Sequence, residues 1–163
     1  MHHLKLFIFL FVLFIYGAEY AQAGIDSVVV SKATRTMYLV KDGTPIKEYH
    51  IALGGNPQGH KQQEGDERTP EGMYLLDSKN SDSDFHKAIH ISYPNAQDRA
   101  RAKEMGVSPG GAIMIHGQKN GFGWLAGVTQ RFDWTAGCIA VTNSDMNEIW
   151  DLIEPGTPIE IRP

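Results

Sequence analysis

Cysteine is nearly absent: Cys138 is the single thiol in 163 residues, so the chain cannot close an internal disulfide. Cationic residues are also scarce, with 15 Lys and Arg against 19 Asp and Glu and a formal net charge of −4. That balance supplies no basic patch for a phosphate backbone, and nucleic acid is not an expected partner. The chain shows no internal repeat, no low-complexity stretch and no composition break that would mark a second domain. One domain must then provide both chemistry and binding. The long apolar run, Leu6 to Tyr16, is shorter than the about 20 residues that a membrane-spanning helix needs.

That run is the middle of a three-part pattern. Lys5 lies in a short n-region, and Ala21-Gln22-Ala23 forms a small-x-small cleavage site, which together read as a secretory signal peptide over residues 1–23. The expected location is the periplasm or the extracellular space, with an uncleaved anchor as the alternative. No cysteine stands directly after the apolar run, so a lipid anchor is not expected. Residues 24–163 remain, enough for one domain with its own core. In an oxidising compartment a lone cysteine is an inert buried thiol, an intermolecular link or a nucleophile.

The mature part reads mostly as strands. Ser27 to Val30 is a short apolar run, and Thr36 to Val40 and Ile46 to Leu53 flank the turn signal Lys41-Asp42-Gly43, predicting a hairpin. Gly72 to Leu76, Ala88 to Tyr93, Ala112 to Ile115, Cys138 to Thr142 and Pro158 to Arg162 are further strand candidates. Asn95 is a good helix N-cap with Asp98 in the first turn and Gly106 as a stop. A second helix starts at Asn143 or Ser144, because Met146, Ile149, Trp150 and Ile153 share one face. The fold expected is mainly β with short helices (α+β), a sandwich or barrel carrying helices at its edge.

A cysteine nucleophile needs a base, donors for the oxyanion and room for substrate. His116 ends an apolar strand and is the candidate base. Gly117 leaves space beside its ring, and Cys138 starts the next strand candidate. The small Gly137 lets an oxyanion approach the backbone, so the N–H groups of Gly137 and Cys138 are the candidate oxyanion hole, with Thr135 as an additional donor. A tight turn leading into a buried strand is the alternative reading of Gly137-Cys138.

Four blocks in order resemble the L,D-transpeptidase catalytic domain of the YkuD type. Gly54-Gly55-Asn56-Pro57 through Gly65-Asp66-Glu67-Arg68-Thr69-Pro70-Glu71-Gly72 is similar to that family's Gly-Asp-x-x-Thr-Pro-x-Gly block. Ile91-Ser92-Tyr93-Pro94-Asn95 resembles the strand before its short helix. Ile113-Met114-Ile115-His116-Gly117 resembles its His-Gly motif, and Thr135-Ala136-Gly137-Cys138-Ile139 its Ser/Thr-x-Gly-Cys nucleophile motif. The resemblance implies a YkuD-like fold and attack by Cys138 on the L,D amide of a peptidoglycan stem peptide. It implies a thioester acyl-enzyme, His116 as proton carrier, the Gly117 carbonyl as its orienting partner and acylation by carbapenems. It implies no metal and no cofactor. An amine resolves the thioester in transpeptidation and water does so in hydrolysis. Two positions depart from the family pattern: Ala136 stands where many relatives carry His, and Ala140 where most carry Arg or Asn.

The remaining candidates line a cleft. Gln118 to Trp134 is rich in glycine and aromatics, and reads as a mobile loop over the cleft whose Trp124 and Trp134 stack on stem or sugar, with a well-packed connection as the alternative. Asp133 is a candidate for the acceptor amine, Arg68 and Arg131 for a substrate carboxylate, and His90 for the cleft wall. The His86/His90 pair has no acidic companion in its motif, so no metal site is expected. The activity expected is that of an exported L,D-transpeptidase working as a monomer on peptidoglycan stems. An L,D-carboxypeptidase, or a hydrolase that releases wall-linked protein, is the alternative with the same Cys-His pair. A non-catalytic wall-binding domain is the alternative of another class.

Overall fold

The computed structural model describes residues 24–163; the expected signal peptide lies outside the described residues. Eight strands carry the chain: β1 (Ser27–Ser31), β2 (Thr36–Lys41), β3 (Thr44–His50), β4 (Gly72–Asn80), β5 (Ala88–Ile91), β6 (Met114–His116), β7 (Ile139–Ala140) and β8 (Thr157–Arg162). The helices are α1 (Ala96–Glu104), α2 (Ala126–Thr129), which follows a single 3-10 turn at Gly123–Leu125, and α3 (Asn143–Leu152). No helix among the described residues is long and apolar enough to cross a membrane.

Alternation and turn chemistry build the sheet from its first half. In β1 the buried Val28 and Val30 alternate with half-buried neighbours, and β2 pairs with β1 antiparallel from Ser27–Val40 to Ser31–Thr36. The β2–β3 hairpin turns on Asp42 and Gly43, with φ of 48° and 72°. Two successive positive φ values match the right-handed twist of the flanking strands, and Asp-Gly tolerates them. The full order is β3-β2-β1-β8-β4-β5-β6-β7.

The sheet curls until the segment after β3 meets β7. After β3 the chain crosses to β7, where Ala52 N–H donates to Ala140 O at 2.9 Å and Ala140 N–H to Ala52 O at 2.8 Å. The result is a curled, half-barrel sheet. Its core gathers Val28, Leu39, Leu76, Ile91, Ile115, Ile139 and Ile159, together with Met146, Ile149 and Ile153 from α3 and the residue after it. Each such fully buried aliphatic side chain is worth about 1.5–3 kcal/mol.

Both predicted helices form, with one shift of cap. Asn95 caps α1 in a capping box with Asp98. For α3 the cap is Thr142, whose Oγ1 accepts from Asp145 N–H at 3.1 Å. Asn143 is unavailable because its Oδ1 accepts from Gln118 N–H at 2.8 Å. Within the stretch 118–134, read as a loop over the cleft, the chain winds into the 3-10 turn and α2.

Candidate active site

Register places the two candidate side chains, His116 and Cys138. β6 and β7 run parallel, with Ile115 opposite Ile139 and His116 opposite Ala140. Ile115 and Ile139 both point into the core. Pleating therefore turns His116 and Ala140 to the other face. On its far side His116 faces Ala88 of β5, and Ala140 faces Ala52. The imidazole thus lies in a row of alanines, which leaves room for aromatic rings above. Phe85 stacks on it at 4.2 Å between centroids and 37°, and Trp134 meets it edge-on at 5.9 Å.

One hydrogen bond fixes the state of that ring. His116 Nδ1 lies 2.7 Å from Gly117 O. A carbonyl only accepts, so Nδ1 carries the proton and Nε2 of the neutral ring keeps its lone pair. Gly117 has to be glycine, since a Cβ there would come within 2.7 Å of both Asn143 Oδ1 and His86 O. Burial lowers the His116 pKa, partly offset by the Gly117 carbonyl.

Cys138 directly precedes β7, and its Sγ donates to Ala112 O at 3.6 Å, at the leading end of β6. The thiol is half-buried. Burial raises its pKa, opposed by a hydrogen bond from the Met114 amide and by the charge of Lys61. Both shifts favour the uncharged forms, a neutral thiol and a neutral imidazole.

The hydrogen bonds of the Gly137 turn differ from those expected of an oxyanion hole. Gly137 does turn the chain, at φ 130°, but its N–H donates to Thr135 Oγ1 at 3.1 Å, and Thr135 Oγ1 donates to Cys138 O at 2.7 Å. The Thr135 hydroxyl and the Gly137 amide are thus used up within the turn. Among the described residues the Cys138 N–H makes no hydrogen bond, and it is the donor this turn presents beside Sγ.

The other expected residues fall in different places. Asp133 is committed elsewhere: it accepts from Arg35 Nε at 3.0 Å and Nη2 at 2.6 Å, and from Leu53 N–H at 2.9 Å. These three donors engage both of its oxygens, and the Arg35 guanidinium offsets its charge. Arg68 turns towards the Gly59–His60 backbone, with Nη1 3.4 Å from His60 O, and its Nε is buried without a partner. His90 faces Met114 in register, on the His116 side of the sheet, and pairs with Asp77 at 2.7 Å. Trp134 touches the imidazole, whereas Trp124 is 79% exposed on the 3-10 turn. Arg131 is exposed. No cluster of His, Cys, Asp and Glu suited to a metal ion occurs among the described residues. Sequence reasoning missed Phe85 and Arg35, whose partners lie 31 and 98 positions away; no local pattern signals such contacts. It also missed the Lys61–Asp66 ion pair at 2.8 Å, although Asp66 stands in a block that was singled out.

The family signature of the L,D-transpeptidase catalytic domain (YkuD) matches residues 25–161. YafK of Escherichia coli (strain K12), named as a candidate L,D-transpeptidase, is 32% identical over 161 residues, 89% of this chain and 58% of YafK. Among solved structures, a mutant of the helical cell shape determining protein Pgp2 from Campylobacter jejuni superposes with a TM-score of 0.64 at 26% identity. That match covers 84% of this chain and 46% of Pgp2. An L,D-transpeptidase from Xylanimonas cellulosilytica shares the fold, with a TM-score of 0.57 at 15% identity, over 85% of this chain and 61% of that one. The chain therefore spans little more than half the length of the curated relative it matches. Its motifs, its curled sheet and the family match over nearly all described residues agree, and the chain belongs to the L,D-transpeptidase catalytic domain (YkuD) family.

Proposed function

We propose that the protein is an exported cysteine acyltransferase that acts on peptidoglycan stem peptides, with Cys138 as nucleophile and His116 as proton carrier. The observation that carries this reading is the Nδ1–Gly117 O bond of 2.7 Å, which leaves the basic Nε2 of a buried imidazole free on the strand beside the thiol. Sγ attacks the carbonyl carbon of the L,D amide while its proton passes to Nε2. The Cys138 N–H receives the negative charge that develops on oxygen. The C–N bond breaks, the proton moves from His116 to the leaving amine, and a thioester remains. An acceptor amine then attacks the thioester, gives its proton to His116 and restores the thiol. Neutral ground states suit this sequence, because the imidazole is unprotonated when the thiol needs a base.

Hydrolysis of the same thioester is the second reading, and Ala140 favours it. The family commonly has Arg or Asn here, whereas Ala140 is fully buried between Ala52 and His116. It offers neither a cation nor a hydrogen bond to hold an acceptor, and water needs no such site. On that reading the products are a trimmed stem or a released wall-linked protein.

Purified disaccharide-tetrapeptide tests both, with Cys138→Ala as control and mass spectrometry of the products. A Cys138-dependent dimer that has lost D-Ala is expected for transpeptidation, and a tripeptide alone for L,D-carboxypeptidase action. Product formation that persists in Cys138→Ala would overturn the proposal.

A further inference from the structure

The segment from Lys61 to Arg68 is built around a buried ion pair outside the reacting groups. Lys61 Nζ donates to Asp66 Oδ1 at 2.8 Å and to Gln63 O at 3.0 Å. The two side chains are 3% and 10% exposed. Asp66 gathers the loop around it: Oδ2 accepts from Gln62 N–H at 2.7 Å and Gln63 N–H at 3.1 Å, and Oδ1 also accepts from Arg68 N–H at 3.1 Å. Burial alone would raise the Asp66 pKa, but Lys61 and these three amides outweigh it and hold the carboxyl at about 2. Asp66 is therefore a carboxylate at neutral pH.

What this loop presses against is the nucleophile turn. At Gly137 a Cβ would come within 2.7 Å of Arg68 O, and at Gly54 a Cβ would run into Glu67 O and lie 3.0 Å from Gly137 Cα. Asn56 N–H donates to Glu67 O at 3.2 Å, and Gly54 N–H to Thr69 Oγ1 at 3.3 Å. The Arg68 carbonyl, together with the Ile113 side chain, therefore backs Gly137, and the Glu67 carbonyl backs Gly54, which itself lies against Gly137. Two glycines make that approach possible. Gly137 in turn directs the Cys138 N–H.

We propose that the Lys61–Asp66 ion pair is a positioning device for acyl transfer, fixing the Glu67–Arg68 backbone that sets the Gly137 turn and thereby the Cys138 amide that receives the oxyanion. Neither residue needs to touch substrate. Lys61 has a second effect through space, because its charge favours the Cys138 thiolate. The inference rests on the cysteine acyl-transfer reading above but not on the identity of the natural substrate.

Two probes separate positioning from general folding. Iodoacetamide alkylates the thiolate by direct displacement and needs no oxyanion donor. p-Nitrophenyl acetate acylates it: the Cys138 S–C bond forms, the ester C–O bond breaks, p-nitrophenolate leaves, and the thiol proton passes through His116 to solvent. Only the second reaction passes through an oxyanion. The variants are Asp66→Asn and the double variant Lys61→Met with Asp66→Asn, which leaves no unpaired buried charge and so guards against simple unfolding. The expected result is a fall in Cys138-dependent acylation on the order of 100-fold, the scale of losing one oxyanion donor. The limiting high-pH alkylation rate should stay within about twofold of the parent, and the alkylation midpoint should move to higher pH in the double variant. If acylation and alkylation fall together, or neither changes, the pair has only a structural role. No Cys138-dependent acylation in the parent protein would equally overturn the inference. Failure on the stem peptide with normal p-nitrophenyl acetate acylation would count against the proposed substrate and leave the positioning role standing.

Discussion

At the scale of single residues, burial decides how His116 behaves with pH. Burial lowers its pKa below the ordinary 6.5, so the folded protein binds that proton less tightly than the unfolded chain does. Its contribution to stability is present above about pH 6.5 and is lost as pH falls from there towards the lowered folded value. His116→Gln removes the titrating group. The expected outcome is a flatter fall of the urea midpoint between pH 7.5 and 5 in His116→Gln than in the parent; equal slopes would show that the imidazole is not desolvated. The same residue shows how much of the site was legible in sequence. The His-Gly and Gly-Cys motifs pointed to His116, Gly117, Gly137 and Cys138, because tight turns and strand ends leave a local signature. Thr135 and Asp133 were read as substrate donors and acceptors, but their partners turned out to be Cys138 O and Arg35. A hydroxyl or carboxylate carries no sequence mark of which hydrogen bond it will take, and Arg35 lies far along the chain from Asp133.

At the scale of elements, legibility follows the range of the interaction. The β2–β3 hairpin and the Asn95 cap were readable because their determinants, Asp42-Gly43 and the Asn95/Asp98 box, lie within a few residues. The cap of α3 was placed one or two residues late. Asn143 is a better N-cap by propensity, but the Gln118 amide takes its side chain, and Thr142 fills the role. Its Oγ1 accepts from Asp145 N–H and also lies 2.7 Å from Asp145 Oδ2. Thr142→Ala is then expected to cost about 1 kcal/mol, the usual worth of an N-cap side chain, while Ser144→Ala changes little. Urea unfolding of both variants checks this, and a larger cost for Ser144→Ala would move the cap to Ser144, one of the two positions expected from the sequence. α2 was missed for a related reason. Four residues, Ala126 to Thr129 with Gly127 among them, hold too few positions for a periodic pattern.

At the scale of the whole molecule, the last strand in sequence is central in space. β8 lies between β1 and β4, parallel to the first from Val28–Ile159 to Ser31–Arg162 and antiparallel to the second from Gly72–Ile161 to Leu76–Thr157. No local pattern announces a parallel pairing across nearly the full length of the chain, which is why the sequence suggested a closing strand without its neighbours. The placement has a cost in folding. The hairpin of β2 and β3 can form early, but β1 and β4 cannot join until residues 157–162 are present, and such non-local closure is slow. It also makes the sheet depend on its end. Removing Thr157–Pro163 would expose two facing strand edges and take Ile159 and Ile161, both essentially fully buried, out of the core. Two buried isoleucines at about 2–5 kcal/mol each approach the total of about 5–15 kcal/mol that holds a typical domain, before any loss of ladder hydrogen bonds. The truncated protein is therefore expected to show no cooperative thermal transition by circular dichroism. A synthetic peptide spanning residues 154–163, added in trans, should restore one by filling the gap between β1 and β4. A truncated protein that melts cooperatively by itself would mean that β8 is an accessory edge, and the central register described here would be wrong.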